Sequence, residues 1–276
     1  NSSSSIVSGN NYVGGFSGYL SGGAYSNNSS SSIVSGNNYV GGFSGRGSGK
    51  LYSNYSTGDV SGNDYVGGFL GRGSGKRYSN YSTGDVSGNN YVGGFSGDIK
   101  GKLNSNYSSG SVSGNNYVGG FSGYFYEGEV INNYSLGSVT RLSGDSNNIG
   151  GFLGYHNSGS LNYNYSKGEV IFEGATNPTD KGFLGFTDSD GSDTCYIDSN
   201  NYWDVDSSNQ LTSFGNAEGK TTLQLTSVPD ENTFTNWDFG SVWKQDSSIN
   251  NGYPFFSWQN TSIMVFTPLS VQKKLL

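Results

Sequence analysis

Residues 55–69, Tyr-Ser-Thr-Gly-Asp-Val-Ser-Gly-Asn-Asp-Tyr-Val-Gly-Gly-Phe, form the clearest copy of a unit that this chain repeats. Residues 81–95 nearly duplicate it, and a blurred version of its end stands at residues 148–152. Its last five residues occur five times, beginning at Tyr12, Tyr39, Tyr65, Tyr91 and Tyr117. A period of 26 to 27 residues that widens late is typical of a protein built from stacked coils.

Each repeat alternates short strand signals with turn formers. Gly-Asp-Val-Ser, Tyr-Val-Gly-Gly-Phe and a Tyr-rich segment favour strands, and the Gly-Asn-Asn, Ser-Gly and Gly-Arg-Gly-Ser-Gly segments between them favour turns. We therefore predict three strands per coil in an all-β, parallel β-solenoid. Parallel crossovers are almost always right-handed, so we expect a right-handed coil.

Composition supports a folded chain. Gly, Ser and Asn are abundant, but 15% of the residues are aromatic and only 13% are charged, which argues against a disordered coil. In a solenoid each coil needs few inward side chains, because its neighbours seal the core. Stacking then places equivalent residues above one another in core ladders. We predict a phenylalanine ladder of Phe16, Phe43, Phe69, Phe95, Phe121, Phe152 and Phe183, and a valine ladder of Val7, Val34, Val60, Val86, Val112, Val139 and Val170. The pattern leaves open whether the repeated Tyr side chains point inward or outward.

The sequence divides into three regions. Residues 1–194 form the repeat array, and residues 195–258 are aperiodic and hold all four tryptophans. We predict that this Trp-rich region caps the array, since an exposed last coil would leave strand edges open. Residues 259–276 form a tail. The chain starts inside a repeat at Asn1, and residues 262–267 are apolar and β-prone, so an open edge and a spare strand could join copies head-to-tail into fibres. The tail could equally pack on its own cap, and both hypotheses stay open.

Charge and cysteine content exclude some function classes. The net charge of −7 disfavours a nucleic-acid partner, and we interpret the basic spots at residues 46–50 and 72–77 as solvated turns. No apolar run approaches the ~20 residues of a membrane span. Cys195 is the one cysteine, so no intrachain disulfide forms, and we interpret it as a small buried residue.

Few residues suggest chemistry. His156, the one histidine, lies in a turn-like context without partners for a triad or a metal site, so we predict that it faces solvent and that the chain is not an enzyme. Asp188, Asp190 and Asp193 surround a glycine, as calcium loops do, although their spacing matches no EF-hand and an ordinary acidic turn also explains them. No other cofactor is indicated.

A set of asparagines gives the strongest site signal. Asn-x-Ser sequons recur in one repeat phase, six residues before each ladder valine, and Asn260 adds another outside the array; the phase-locked members are Asn1, Asn28, Asn54, Asn80, Asn106, Asn133 and Asn164. They could carry N-glycans along one ridge of a glycoprotein. They could equally form a ladder of stacked side-chain amides that satisfies turn backbone groups. Both hypotheses stay open.

The stretch Tyr-Ser-Thr-Gly-Asp-Val-Ser-Gly-Asn-Asp-Tyr-Val-Gly-Gly-Phe-Leu-Gly, residues 55–71, resembles the GLUG repeat of large bacterial and archaeal surface proteins, including adhesins. The resemblance covers residues 1–186. The array differs in having Phe where Leu is commoner and Asn before the Tyr. The resemblance implies an extracellular, cell-surface β-solenoid and carries no catalytic residues.

We therefore expect a secreted structural or adhesive protein, whose partners are its own copies, glycans, or host and neighbouring cell surfaces. An alternative is a carbohydrate- or calcium-binding module in the Trp-rich region. A further alternative is a spacer from a larger surface enzyme.

Overall fold

The computed structural model describes residues 2–144, 146–187, 195–197, 200–227 and 233–259. It confirms the predicted β-solenoid, which is nearly all-β and built from stacked parallel strands. The chain divides into two compact units, residues 1–222 and residues 223–276. The first unit is the solenoid.

Two of the solenoid's four parallel sheets contain the Tyr-Ser and Val-Ser segments of the repeat. Sheet A has, among the described residues, the strands Ser2–Ser3, Ser29–Ser30, Tyr55–Ser56, Tyr81–Ser82, Tyr107–Ser108, Tyr134–Ser135, Tyr165–Ser166, Tyr202–Asp204 and Glu218–Lys220. Sheet B has the strands Ile6–Ser8, Ile33–Ser35, Val60–Ser61, Val86–Ser87, Val112–Gly114, Val139–Arg141 and Val170–Phe172.

The other two sheets contain the Tyr-Val-Gly segment and the residues that follow it. Sheet C has the strands Asn11–Gly14, Asn38–Gly41, Asp64–Gly67, Asn90–Gly93, Asn116–Gly119 and Ile149–Gly150. Sheet D has Ser17–Leu20, Ala24–Tyr25, Ser44–Gly47, Leu51–Tyr52, Leu70–Tyr78, Ser96–Asn104, Ser122–Ile131, Leu153–His156, Gly159–Asn162, Leu184–Thr187 and Cys195–Ile197. Each coil as far as residue 162 therefore passes through four sheets, and the prediction of three strands per coil is wrong.

The register follows the sequence repeat. Tyr55 pairs with Tyr81, one period of 26 residues later. The late coils are longer, so Tyr134 pairs with Tyr165 and Tyr165 with Tyr202, at separations of 31 and 37 residues. The extra residues lie between strands, and the in-register pairing of equivalent residues continues.

The repeated tyrosines mark a sharp bend in each coil. Tyr12, Tyr39, Tyr65, Tyr91 and Tyr117 all have φ between 52° and 56°, in the left-handed region that non-glycine residues rarely adopt. The ladder pairs Asp64 with Asn90 and Val66 with Val92 but skips the tyrosine between them. This bend breaks the strand alternation, so the valine and phenylalanine of each repeat lie inside while the tyrosine ring stays partly exposed.

Close backbone approach explains the Gly-Gly pair after each of these valines. A Cβ on Gly67 would lie 2.0 Å from the carbonyl oxygen of Leu70, and one on Gly68 would lie 2.2 Å from that of Gly94. No side chain fits at such distances. The glycines are therefore required by the packing of one coil on the next.

The core contains both predicted ladders. Phenylalanine rings from Phe16 to Phe183 stack with centroid separations of 4.6 to 5.0 Å, and all but the partly buried Phe16 are fully buried. The valine ladder lies in a second core cluster with Val13, Val40, Val66, Val92, Val118 and Ile149. Both ladder predictions are confirmed.

The solenoid extends beyond the boundary predicted at residue 194. The strands Cys195–Ile197, Tyr202–Asp204 and Glu218–Lys220 pair in parallel with the preceding coil. Trp203 belongs to the phenylalanine core cluster and donates from its indole N–H to the Gln210 carbonyl. The tryptophans of residues 195–258 therefore do not form one cap.

The second unit is small and irregular. It contains the antiparallel strands Trp243–Lys244 and Phe255–Phe256, the helix Thr222–Thr226 at its start and the 3-10 turn Asn250–Gly252. Trp237, Trp243 and Phe256 pack together at centroid separations of 4.6 and 4.5 Å. A further short helix, Val205–Ser208, lies in the solenoid. Within the described ranges, no helix has the length and apolar character needed to cross a bilayer.

Candidate functional site

A ladder of buried asparagines runs along one corner of the solenoid; its members are Asn28, Asn54, Asn80, Asn106, Asn133, Asn164 and Asn201. In each member from Asn54 onward, the side-chain oxygen accepts hydrogen bonds from the backbone N–H and the Nδ2 of the asparagine one coil earlier. Asn106, for example, accepts both bonds from Asn80 at 3.0 Å. Its own Nδ2 donates to the carbonyl of Arg77 and to Oδ1 of Asn133, at 3.0 and 2.9 Å.

The backbone makes a tight turn immediately before most of these asparagines. Asn27, Ser53, Ser79, Ser105, Asn132 and Tyr163, which each precede a ladder member, all have positive φ. Such a turn leaves backbone groups without a strand partner, and buried groups of this kind need hydrogen bonds. The ladder side chains supply those bonds, coil after coil.

This geometry corrects the glycosylation hypothesis. A glycan replaces one Nδ2 hydrogen and must extend into solvent, whereas both Nδ2 hydrogens of Asn106 are donated inside the protein and its side chain is 0% exposed. The folded solenoid leaves no room for a glycan at its six sequon members, and the amide-ladder interpretation is the one the structure bears out. Asn1 and Asn260 lie outside the described residues.

Arg77 is fully buried, although the sequence pattern predicts a solvated turn there. Its guanidinium donates to the carbonyls of Gly49, Gly47 and Ser74 at 2.6, 2.9 and 2.8 Å. The absence of a side chain on Gly73 leaves it space, because a Cβ there would lie 3.1 Å from Nη2. Burial lowers the pKa of Arg77 to about 9, so it stays charged at neutral pH.

His156 is also buried, and the prediction that it faces solvent is wrong. It occupies the inward position that Ile99 and Phe125 hold in the two preceding coils. Its ring stacks on Phe125 with centroids 5.6 Å apart, and neither ring nitrogen has a hydrogen bond of normal geometry with a described residue. Burial lowers its pKa to about 4, and the backbone at Ser158 opposes that shift.

We expect this histidine to make the fold sensitive to acid. The unfolded chain protonates His156 near its ordinary pKa of about 6.5, whereas the folded chain resists protonation until about pH 4. Stability present above pH 6.5 is therefore lost as the pH falls toward 4, by about 3 kcal/mol. Substituting His156→Phe, which keeps a ring on Phe125, should remove this part of the pH dependence.

Urea unfolding of both proteins at pH 7.5 and pH 4.5 measures the effect. The wild type should lose about 2 to 3 kcal/mol more than the variant between the two pH values. Equal losses of unfolding free energy in the two proteins would show that protonation of His156 does not cause the pH dependence.

Tyrosine rings form several stacked rows, two of which contain five rings each. One consists of the bend tyrosines Tyr12, Tyr39, Tyr65, Tyr91 and Tyr117, with centroids 4.7 to 4.9 Å apart; the other consists of Tyr55, Tyr81, Tyr107, Tyr134 and Tyr165. Burial raises the pKa of Tyr81 to about 12. Because the rings stack on one another, their faces are covered within each row. The rows therefore favour hydrogen bonding by the phenol groups over stacking on a planar ligand.

A groove of about 370 Å³ lies beside the first row, on sheet D; Arg46, Gly47, Ser48, Arg72, Gly73, Ser74, Asp98, Lys100 and Tyr126 line it, and we call it the basic groove. Arg46 and Arg72 are cross-strand partners on neighbouring coils. Arg72 donates from Nε to the largely buried Asp98 at 2.8 Å. Burial raises the pKa of Asp98, and the positive charge of Arg72 opposes the shift.

The remaining candidates lie where the structure describes little. Asp188, Asp190 and Asp193 are outside the described residues, as are residues 262–267 of the tail. The strand Cys195–Ile197 is described, but the thiol is not. Within the described ranges, no group of three or more His, Cys, Asp and Glu side chains could hold a metal ion.

Comparisons with protein-family models, with curated proteins and with solved structures found no match to this chain.

Sequence reasoning missed the basic groove, and one signal could have indicated it. The segments 46–50, 72–77 and 98–102 occupy the same phase in successive repeats. Equivalent residues stack in a solenoid, so basic residues that are sparse in sequence become neighbours across three coils. The interpretation of these spots as sparse, solvated turns missed this arrangement.

Proposed function

We propose that this chain is an extracellular structural module, a β-solenoid that serves as an adhesive stalk or fibre subunit on a cell surface and carries out no catalysis itself. The continuity of the asparagine ladder from Asn28 to Asn201 is the observation that best supports this role. It joins each coil to the next by side-chain hydrogen bonds, in addition to the strand pairing and the phenylalanine ladder.

Such an arrangement suits a stiff spacer. Every coil is fixed to its neighbours by buried polar and apolar contacts, so bending requires breaking several of them together. The resemblance of residues 1–186 to the GLUG repeat of surface proteins points to the same role. Self-association into fibres belongs to this proposal, and its suggested joining strand is residues 262–267.

Surface exposure and adhesion test the proposal directly in the source cells. Brief proteolysis of intact cells should release peptides of this chain, and deletion of its gene should lower attachment to surfaces or neighbouring cells. Expression of the wild-type chain should restore attachment. Peptides that appear only after lysis, or attachment unchanged by the deletion, would contradict the proposed function.

A further inference from the structure

The basic groove is positively charged, although the chain as a whole is acidic. Seven of the 14 Lys and Arg residues lie between Arg46 and Lys102, although the chain carries a net charge of −7. Arg46, Arg72 and Lys100 line the groove with one carboxylate, Asp98, and a second carboxylate, Glu127, lies 4.0 Å from Lys100. The groove is therefore a local attraction site for anions on an acidic protein.

We propose that the basic groove binds an acidic polysaccharide, a glycan chain that carries carboxylate groups on its sugar rings. This deepens the adhesive part of the proposed function and rests on it. The groove would give the solenoid its ligand.

The donors are arranged at a spacing that suits a polymer. Arg46 and Arg72 are paired across neighbouring coils, so they are separated by about the strand spacing of ~4.8 Å, which is close to the length of one pyranose residue. The Arg fork matches a carboxylate with two parallel hydrogen bonds. Ser48 and Ser74 line the same groove and offer hydroxyls to the neutral hydroxyls of a sugar.

Arg77 adds positive charge beneath the groove. Its guanidinium bonds to the carbonyls of Gly47 and Ser74, which are themselves lining residues. The hydrogen bonds described for it go to neutral carbonyl oxygens, so they leave its charge uncancelled. A charge held at low dielectric acts over a longer range than a solvated one.

Two features favour a glycan over a nucleic acid. Single-stranded nucleic acids bind to open aromatic faces, whereas the bend tyrosines beside the groove are covered by neighbouring rings, as for Tyr65 between Tyr39 and Tyr91. The exposed Tyr126, which lines the groove, has Lys100 over its ring. Past the groove, strand Ser122–Ile131 carries Glu127 and Glu129, which would repel a long phosphate backbone. An acidic glycan needs only a short run of cations.

The test compares the full chain with a double variant, Arg46→Gln with Lys100→Gln. Arg72 is left intact, because removing it would strand the buried carboxylate of Asp98 and risk unfolding. A matched control, Lys167→Gln with Lys220→Gln, lowers the charge equally in later coils of the solenoid, at residues that do not line the groove. The probe is polygalacturonate, and its fully methyl-esterified form is the neutral analogue. A single-stranded oligonucleotide is the competing polyanion. Calorimetry at low and physiological salt measures the affinity of each protein for each ligand.

The wild type and the control should bind polygalacturonate equally, the groove variant should bind it about tenfold more weakly, and salt should weaken binding. The neutral analogue and the oligonucleotide should bind far more weakly than polygalacturonate. No binding by a folded wild type, or equal affinity of both double variants, would overturn the proposal. Oligonucleotide binding as tight as that of polygalacturonate would favour a nucleic-acid site instead. A folded chain that fails these assays can still be required for attachment of cells, so the proposed function is judged separately.

Discussion

Replacing Phe69 with alanine should lower the free energy of unfolding by about 3 to 5 kcal/mol. Phe69 is fully buried and stacks on Phe43 and Phe95, with centroids 4.8 and 5.0 Å away. Alanine removes both ring contacts and leaves a cavity. The rigid coils above and below are held by their own strand pairing, so they cannot collapse to fill it.

Chemical denaturation followed by circular dichroism measures this loss. Tyr19→Ala is a suitable control, because this aromatic side chain is 54% exposed and its removal should cost less than about 1 kcal/mol. A Phe69→Ala variant as stable as the control would contradict the core assignment. Separate transitions for different coils are also informative, since repeat proteins can lose cooperativity.

The sequence predicted the solenoid and its apolar ladders because a fixed period leaves little freedom. Once one coil stacks in register on another, Phe69 must lie between Phe43 and Phe95, whatever path the chain takes between them. The path itself was harder to predict. Strict alternation does not allow for a tyrosine at φ of 56°, and that bend at Tyr65 lies within the sheet C strand Asp64–Gly67.

The polar interior was predicted poorly for a related reason. Period and composition indicate which residues stack, but they do not indicate whether a polar stack faces inward. Arg77 stands between Leu51 and Leu103 in its stack, and His156 follows Phe125, so apolar neighbours one coil away mark both positions as inward-facing. Interpreting each polar residue from its own polarity missed that signal. Arg77 is buried because the side-chain-free Gly47 and Gly73 leave room and carbonyl partners for its guanidinium.

The boundary predicted at residue 194 was too early, because the last coils keep the solenoid structure although they lack the sequence motif. Trp203 takes the position after Tyr202 that Ser166 holds after Tyr165 one coil earlier. Asn201 likewise continues the asparagine ladder outside any sequon. The structural role of the position is kept while the surrounding residues change.

Replacing Asn106 with alanine should destabilise the solenoid by about 3 kcal/mol, as orphaned buried groups cost about 1 to 3 kcal/mol each. The backbone N–H of Asn80 loses the acceptor Oδ1 at 3.0 Å, and the carbonyl of Arg77 loses the Nδ2 donor. Asn133 is affected less, since its Oδ1 keeps the bond from the backbone N–H of residue 106. No water reaches this corner to replace the lost bonds, because Asn80, Asn106 and Asn133 are all fully buried.

The matched control is Asn116→Ala in sheet C of the same solenoid. Asn116 is only partly buried, and its Nδ2 donates to Oδ1 of Asn90 at 2.8 Å. After the substitution, water can donate to that oxygen in place of Nδ2, so the cost should stay below about 1 kcal/mol. Denaturation of the two variants under identical conditions compares a buried asparagine of the ladder with a solvent-accessible asparagine of the stack in sheet C. Equal stability of the two variants would mean that the buried ladder contributes no more than a surface one. The ladder would then no longer support the proposed stiffness of the solenoid. A loss of stability confined to Asn106→Ala would show that asparagine recurs at this position of the repeat because of its hydrogen bonds inside the fold.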